Sequence, residues 1–160
     1  KDYRAEAAFV VKALQESKIP GERILELGCG TGVHAELFAR SGFTVHGIDR
    51  SPEMLEVAER RRDSVGGELA TRLLFSEGDV VSHRLSSSFD AVLSLFHVFS
   101  YQTTNADLSA AFATAAAHLD KGALLAFDFW YGPAVLHQRP EVRVRRLEDE
   151  HIKVLRIAGG

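Results

Sequence analysis

Glu26-Leu27-Gly28-Cys29-Gly30-Thr31-Gly32 follows a short apolar run, Arg23 to Leu27, and precedes a segment of helical composition at about 32–41. A strand, a glycine loop and a helix in that order make a ligand-binding turn. Glycines let the backbone turn tightly and let a ligand approach the main chain. The helix behind them offers free N–H groups and the positive end of its dipole. A dinucleotide site requires G-x-G-x-x-G. Gly28 and Gly30 fit that spacing, but the sixth position is Val33. The loop also lacks the lysine of a phosphate-binding G-x-x-x-x-G-K-[ST] loop. It spells E-x-G-x-G-x-G instead.

Outward from the loop, strand and helix signals alternate. Residues about 2–16 read as a helix, with Phe9, Val10, Ala13 and Leu14 on one stripe, ended by Ile19-Pro20-Gly21. Ser41-Gly42 closes the helix after the loop. Phe43 to Ile48 is a strand running into Asp49. Ser51 reads as an N-cap, with Pro52 and Glu53 in the first turn of a helix to about Asp63. Arg72 to Phe75 is a third strand, followed by Gly78-Asp79, and Asp90 to Leu95 a fourth. A helix at about 105–119, stopped by Lys121-Gly122, leads to a fifth strand, Ala123 to Phe129. Short, nearly all-apolar strands are buried on both faces. The alternation predicts an α/β fold: a doubly wound, mostly parallel sheet with right-handed crossovers.

The last 30 residues change character. Val142, Val144, Ile152 and Val154 alternate with Arg143, Arg145 and Lys153, which predicts an antiparallel hairpin appended to the sheet. The organisation expected is a core over 1–130 and a hairpin extension over 131–160, serving a substrate or a homodimer contact.

Composition bounds the function. The chain has 160 residues, 46% apolar and 26% charged, with a formal net charge of −3. That suits one globular domain. No apolar run approaches the ~20 residues of a membrane span. The mild acidity argues against nucleic acid as a partner. Cys29 has no second cysteine to pair with, so a reducing cytoplasm is the expected compartment. The seven histidines show no metal-ligand spacing, so no metal site is expected.

Ile24 to Gly32, ILELGCGTG, resembles motif I of the class I S-adenosylmethionine (SAM)-dependent methyltransferases. The resemblance covers about 1–130 and implies a Rossmann-like core that binds SAM and releases S-adenosylhomocysteine. Asp49 matches the acidic residue that holds the ribose hydroxyls, and Asp79 the one that contacts the adenine amino group. FDAVLSLFHVFSY matches the strand-four motif beside the methyl-transfer pocket. Glu26 and Tyr3 match positions that hold and close over the methionine end. The implied cofactor-binding set is completed by Gly28, Cys29, Gly30, Gly32, Arg50, Met54, Val80, Leu95 and Phe96. KDYRAEA, SLFHVFSYQTT and the hairpin are similar to bacterial small-molecule methyltransferases, including sugar N-methyltransferases. The family sheet has seven strands, so the resemblance also implies a longer natural protein or an edge covered by a partner.

The expected activity is methyl transfer to N or O of a small molecule, such as a sugar or nucleotide-linked sugar. A nucleotide-cofactor oxidoreductase and a non-catalytic SAM-binding domain are the alternatives. Displacement at a methyl carbon depends on placing the acceptor in line with sulfur. An amine acceptor needs only to be neutral, whereas a hydroxyl gains from a base. His97, Tyr101, Asp128 and His137 are the catalytic candidates. Trp130-Tyr131-Gly132-Pro133 suits a pocket wall. Arg143 and Arg145, on one strand face, suit a diphosphate. Arg60-Arg61-Arg62 reads as a solvated charge run.

Overall fold

The computed structural model describes residues 2–137, 143–148 and 153–158. The chain divides into two compact units, 1–129 and 130–160.

In the first unit, helices α1 (Tyr3–Glu16), α2 (Val33–Arg40), α3 (Pro52–Val65), α4 (Gly67–Thr71) and α5 (Asn105–Ala117) flank strands β1 (Arg23–Leu27), β2 (Thr44–Asp49), β3 (Leu73–Glu77), β4 (Phe89–Ser94) and β5 (Leu119–Phe127). The strand order is β3-β2-β1-β4-β5, and every pairing is parallel. Side chains of successive strand residues point to opposite faces, so β1 feeds two cores. Ile24 packs with Leu14, Phe38, Val45 and Leu93, on the side of α1 to α3. Leu25 and Leu27 pack with Ile48, Val92, Phe99 and Ala115, on the side of α5. Each fully buried side chain of this size contributes about 1.5–3 kcal/mol.

The helix starts follow local chemistry. Asp2 Oδ1 accepts from the Ala5 N–H at α1, Ser51 Oγ from Met54 at α3 and Thr104 Oγ1 from Asp107 at α5. Each satisfies one of the free donors of a first turn. Pro52 sits at the head of α3 as expected.

Several boundaries differ from the sequence reading. α5 ends at Ala117, and Lys121-Gly122 belongs to β5 rather than stopping the helix. The His118 ring decides this: its Nδ1 lies 2.8 Å or less from a carbonyl, at 2.7 Å from Thr114 O, and its Nε2 accepts the Leu85 N–H at 2.8 Å. Leu119 then pairs with Phe89, and the register slips before Ala91 meets Leu124, with Gly122 (φ +85°) in the irregular stretch. α4 and a 3-10 turn, Val98–Tyr101, were not foreseen. Arg61 is also more than a solvated charge: Nε donates to Thr31 O at 2.9 Å and Nη1 to Glu36 Oε2 at 3.0 Å.

In the second unit, Gly132–His137 forms a short helix, α6, where the sequence suggested a pocket wall. β6 (Arg143–Glu148) and β7 (Lys153–Ala158) pair antiparallel, Arg143 with Ala158 through Glu148 with Lys153. The pair is a two-stranded sheet of its own, not an addition to the five-stranded one. Val142 and Ile152 of the expected hairpin lie outside the described residues, as do the side chains of Arg143 and Arg145.

Candidate active site

All five strands of the main sheet are parallel, so their carboxyl ends share one edge. The order reverses between β1 and β4, which is where an open α/β sheet leaves a crevice. A cavity of about 840 Å³ opens there. Its walls are the loop after β1 (Gly28, Cys29, Gly30, Thr31), the end of β2 (Asp49, Arg50, Ser51) and the turn after β3 (Gly78 to Val81). Leu95, Phe96, Val98, Tyr101 and Gln102 follow from β4, Met54 from α3, and Tyr3 from α1.

The glycine loop is held by its neighbours. The Gly28 and Cys29 N–H groups both donate to Ile48 O, at 2.8 and 2.9 Å. Asp49 Oδ2 accepts from the Gly30 N–H at 2.8 Å, and Oδ1 from the Ser51 N–H at 3.0 Å. Asp49 thus fastens the loop to the start of α3 and keeps lone pairs for a ligand, since each carboxylate oxygen accepts two bonds. Gly28 has φ +75°, and a Cβ there would lie 2.6 Å from Val98. Gly32 has φ +71° at the head of α2, and its Cβ would meet the Phe75 ring at 2.9 Å. Gly32 is not among the residues lining the cavity, and its backbone turn and close approach to Phe75 are what require a glycine there.

Glu26 is the unusual group. It is only 2% exposed, lines the cavity, and its Oε2 has no hydrogen-bond partner. Burial, with the Asp49 charge nearby, pushes its carboxyl up to about 8. Burial also pushes the Cys29 thiol up, with Glu26 and Asp49 adding to it, so Cys29 stays protonated and is no nucleophile. A buried acceptor without a donor costs about 1–3 kcal/mol, which a cationic ligand would recover. Besides the Glu26 carboxyl, the carboxylates of Asp49, Asp79 and Asp107 line the cavity, against one guanidinium, Arg50, and the His34 ring. That balance favours a ligand carrying positive charge.

Farther along, Asp79 Oδ1 accepts from the Val81 N–H at 3.0 Å, with Val80 buried beside it. Phe96 (φ +70°) and His97 (φ +62°) are both left-handed, a conformation that costs each about 1–3 kcal/mol. The His97 N–H donates to Asp128 Oδ1 at 2.6 Å, and Nδ1 lies 3.5 Å from Oδ2. Asp128 therefore holds the turn that presents Phe96, whose ring stacks on Tyr3 at 6.4 Å.

The cavity brings together Tyr3, Glu26, Gly28, Cys29, Gly30, Asp49, Arg50, Met54, Asp79, Val80, Leu95 and Phe96. Of the catalytic candidates, Tyr101 lines it, while His97 and Asp128 pair with each other beside it. His137 belongs to α6 of the second unit, with Nδ1 2.8 Å from Pro133 O. The lining also holds residues that the sequence reading did not assign to the site: Thr31, Val33, His34, Ser51, Gly78, Val81, Val98, Gln102 and Asp107. His34 follows the loop at one helical step, which is the only local signal for it.

Residues 24–122 match the methyltransferase domain family. The chain belongs to that family. This removes the oxidoreductase alternative, as the missing third dinucleotide glycine suggested. The methyltransferase domain is similar to the dTDP-3-amino-3,4,6-trideoxy-alpha-D-glucopyranose N,N-dimethyltransferase of Streptomyces venezuelae, at 31% identity over 133 residues, 83% of this chain and 53% of that one. A Streptomyces fradiae dTDP-3-amino-3,6-dideoxy-alpha-D-glucopyranose N,N-dimethyltransferase is 29% identical, over 83% of this chain and 49% of its own. The crystal structure of Streptomyces venezuelae DesVI superposes with a TM-score of 0.83 at 28% identity, over 99% of this chain and 64% of that one. SAM-bound CalS10, an amino pentose methyltransferase from Micromonospora echinaspora, gives 0.81 at 32% identity, over 98% of this chain and 63% of that one. The chain spans about half the length of the curated relatives it matches.

Proposed function

We propose that this domain binds SAM in the cavity and transfers its methyl group to a nitrogen of a small molecule, an amino sugar on a nucleotide carrier. The observation that carries the reading is Glu26 Oε2, a buried carboxylate oxygen without a protein partner, in a cavity rimmed by carboxylates. The residues fit the cofactor. Glu26 would take the ammonium of the methionine end, Asp49 the ribose hydroxyls and Asp79 the adenine amine, with Val80, Met54 and Leu95 as apolar contacts. When bound, SAM supplies the electrophilic methyl group.

The chain's own work is placement. Tyr3 and Phe96, stacked on one another, form a wall at the cavity and exclude water there. Tyr101, two-thirds exposed, lines the cavity and would meet the acceptor there. The His97–Asp128 pair fixes the strained turn between these rings. An amine acceptor requires no base beyond the loss of its proton to water, whereas a hydroxyl gains from one. The named activities of the amino-sugar relatives support the same choice. Calorimetric titration of SAM and S-adenosylhomocysteine into the full chain tests the reading. Micromolar binding of both is expected, followed by turnover on dTDP-amino sugars. No heat from either ligand would overturn it.

A further inference from the structure

His34 sits in the first turn of α2, buried, with its ring between two carboxylates. Nε2 is 3.2 Å from Glu6 Oε2 on α1, and Nδ1 is 3.9 Å from Glu26 Oε1 on β1. Tyr3 (5.3 Å between centroids) and Phe38 (6.1 Å) fix the ring plane. A carboxylate at Glu6 can only accept, so the tautomer that suits this contact carries its hydrogen on Nε2 and turns Nδ1, as the acceptor nitrogen, toward Glu26. The other titratable groups facing Glu26 are Asp49, from the end of β2, and the protonated Cys29 thiol. Glu6 is 43% exposed, so this row of groups runs from the buried cavity wall to solvent.

An ammonium seated against Glu26 needs a carboxylate there. In the unliganded protein, burial and the Asp49 charge favour the protonated form of the Glu26 carboxyl. The proton has two destinations, bulk water or a neighbouring base, and His34 is the base within reach. We propose that His34 is a positioning residue that takes the Glu26 proton on ligand binding and keeps it in the protein. The O–H bond of the Glu26 carboxyl breaks, an N–H bond forms at His34 Nδ1, and the imidazolium then stands between the Glu26 and Glu6 carboxylates. The present 3.9 Å separation exceeds hydrogen-bond contact by about 1 Å, so the transfer requires the two side chains to approach by that much. Opposite charges on both sides stabilise the imidazolium. The inference rests on the reading of the cavity as a SAM site.

The test is the proton count of binding. S-adenosylhomocysteine is titrated into the full chain and into His34→Gln, in phosphate and in Tris at neutral pH. The wild type should release no net proton, and its affinity should stay level across neutral pH. His34→Gln should release about one proton per ligand, with affinity weakening up to about tenfold per pH unit as pH falls. 5′-Methylthioadenosine, which lacks the ammonium, should move no proton in either protein. Equal release by wild type and variant, or release of a full proton by the wild type, overturns the proposal. Imidazole nitrogen NMR of the wild type gives a readout that needs no variant. His34 should change from neutral to doubly protonated on adding S-adenosylhomocysteine, and a ring that stays neutral overturns the relay. Failure of the wild type to bind S-adenosylhomocysteine would instead overturn the cofactor assignment.

Discussion

Glu26 shows how one residue is costly to the fold and useful to the site. Burial and the Asp49 charge disfavour its ionisation and push its folded carboxyl up to about 8 from the ordinary 4.5. Between those values the unfolded chain has released this proton while the folded chain keeps it. Stability of the unliganded protein should therefore fall as pH rises through that window, by up to about 1.4 kcal/mol per pH unit from this group. Glu26→Gln should flatten that slope in urea melts and weaken S-adenosylhomocysteine by at least about tenfold, a lost charged hydrogen bond. A slope that persists in the variant would assign it to other groups. Glu26 was legible as a family position, but its missing partner was not. The bond inventory of a buried atom depends on which side chains the fold brings around it.

At the scale of elements, the glycine loop is a joint between β1, β2 and α3. Ile48 O receives two loop N–H groups, Asp49 takes the Gly30 and Ser51 N–H groups, and Arg61 reaches from α3 to Thr31 O. Arg61→Gln should lower stability by about 1 kcal/mol, discounted because the side chain is partly exposed. It should also weaken S-adenosylhomocysteine binding by loosening the loop. A shifted urea midpoint with unchanged affinity would show that Arg61 supports only the helix. The sequence carried β1 at its observed bounds, because a five-residue segment with Ile24, Leu25 and Leu27, set between a turn and a glycine loop, has no competing pattern. It carried α5 too far, because the composition runs on past Ala117 while the stop is made by the His118 ring and by Leu119 pairing with Phe89.

At the scale of the molecule, every residue lining the cavity lies in the first unit, 1–129. A chain ending at Phe129 should therefore bind S-adenosylhomocysteine as the full chain does, by calorimetry. Lost binding in a folded 1–129 protein would show that residues from 130 onward contribute to the cofactor site. β5 has one strand neighbour in the described sheet, and Phe127 and Phe129 at its end are exposed.

The sequence by itself determined the alternation, the strand order class and the family. Glycine spacing, caps and apolar runs are local, and local rules read them. It also placed Glu26, Asp49 and Asp79 at strand ends, because a parallel sheet puts those ends on one edge. Only the tertiary structure decided that Gly32 packs against Phe75, that the His97 N–H binds Asp128, and that His34 stands between Glu6 and Glu26. Those pairings join residues far apart in the chain. Their distances are set by how α1, α2 and the sheet pack, which no short stretch of sequence encodes.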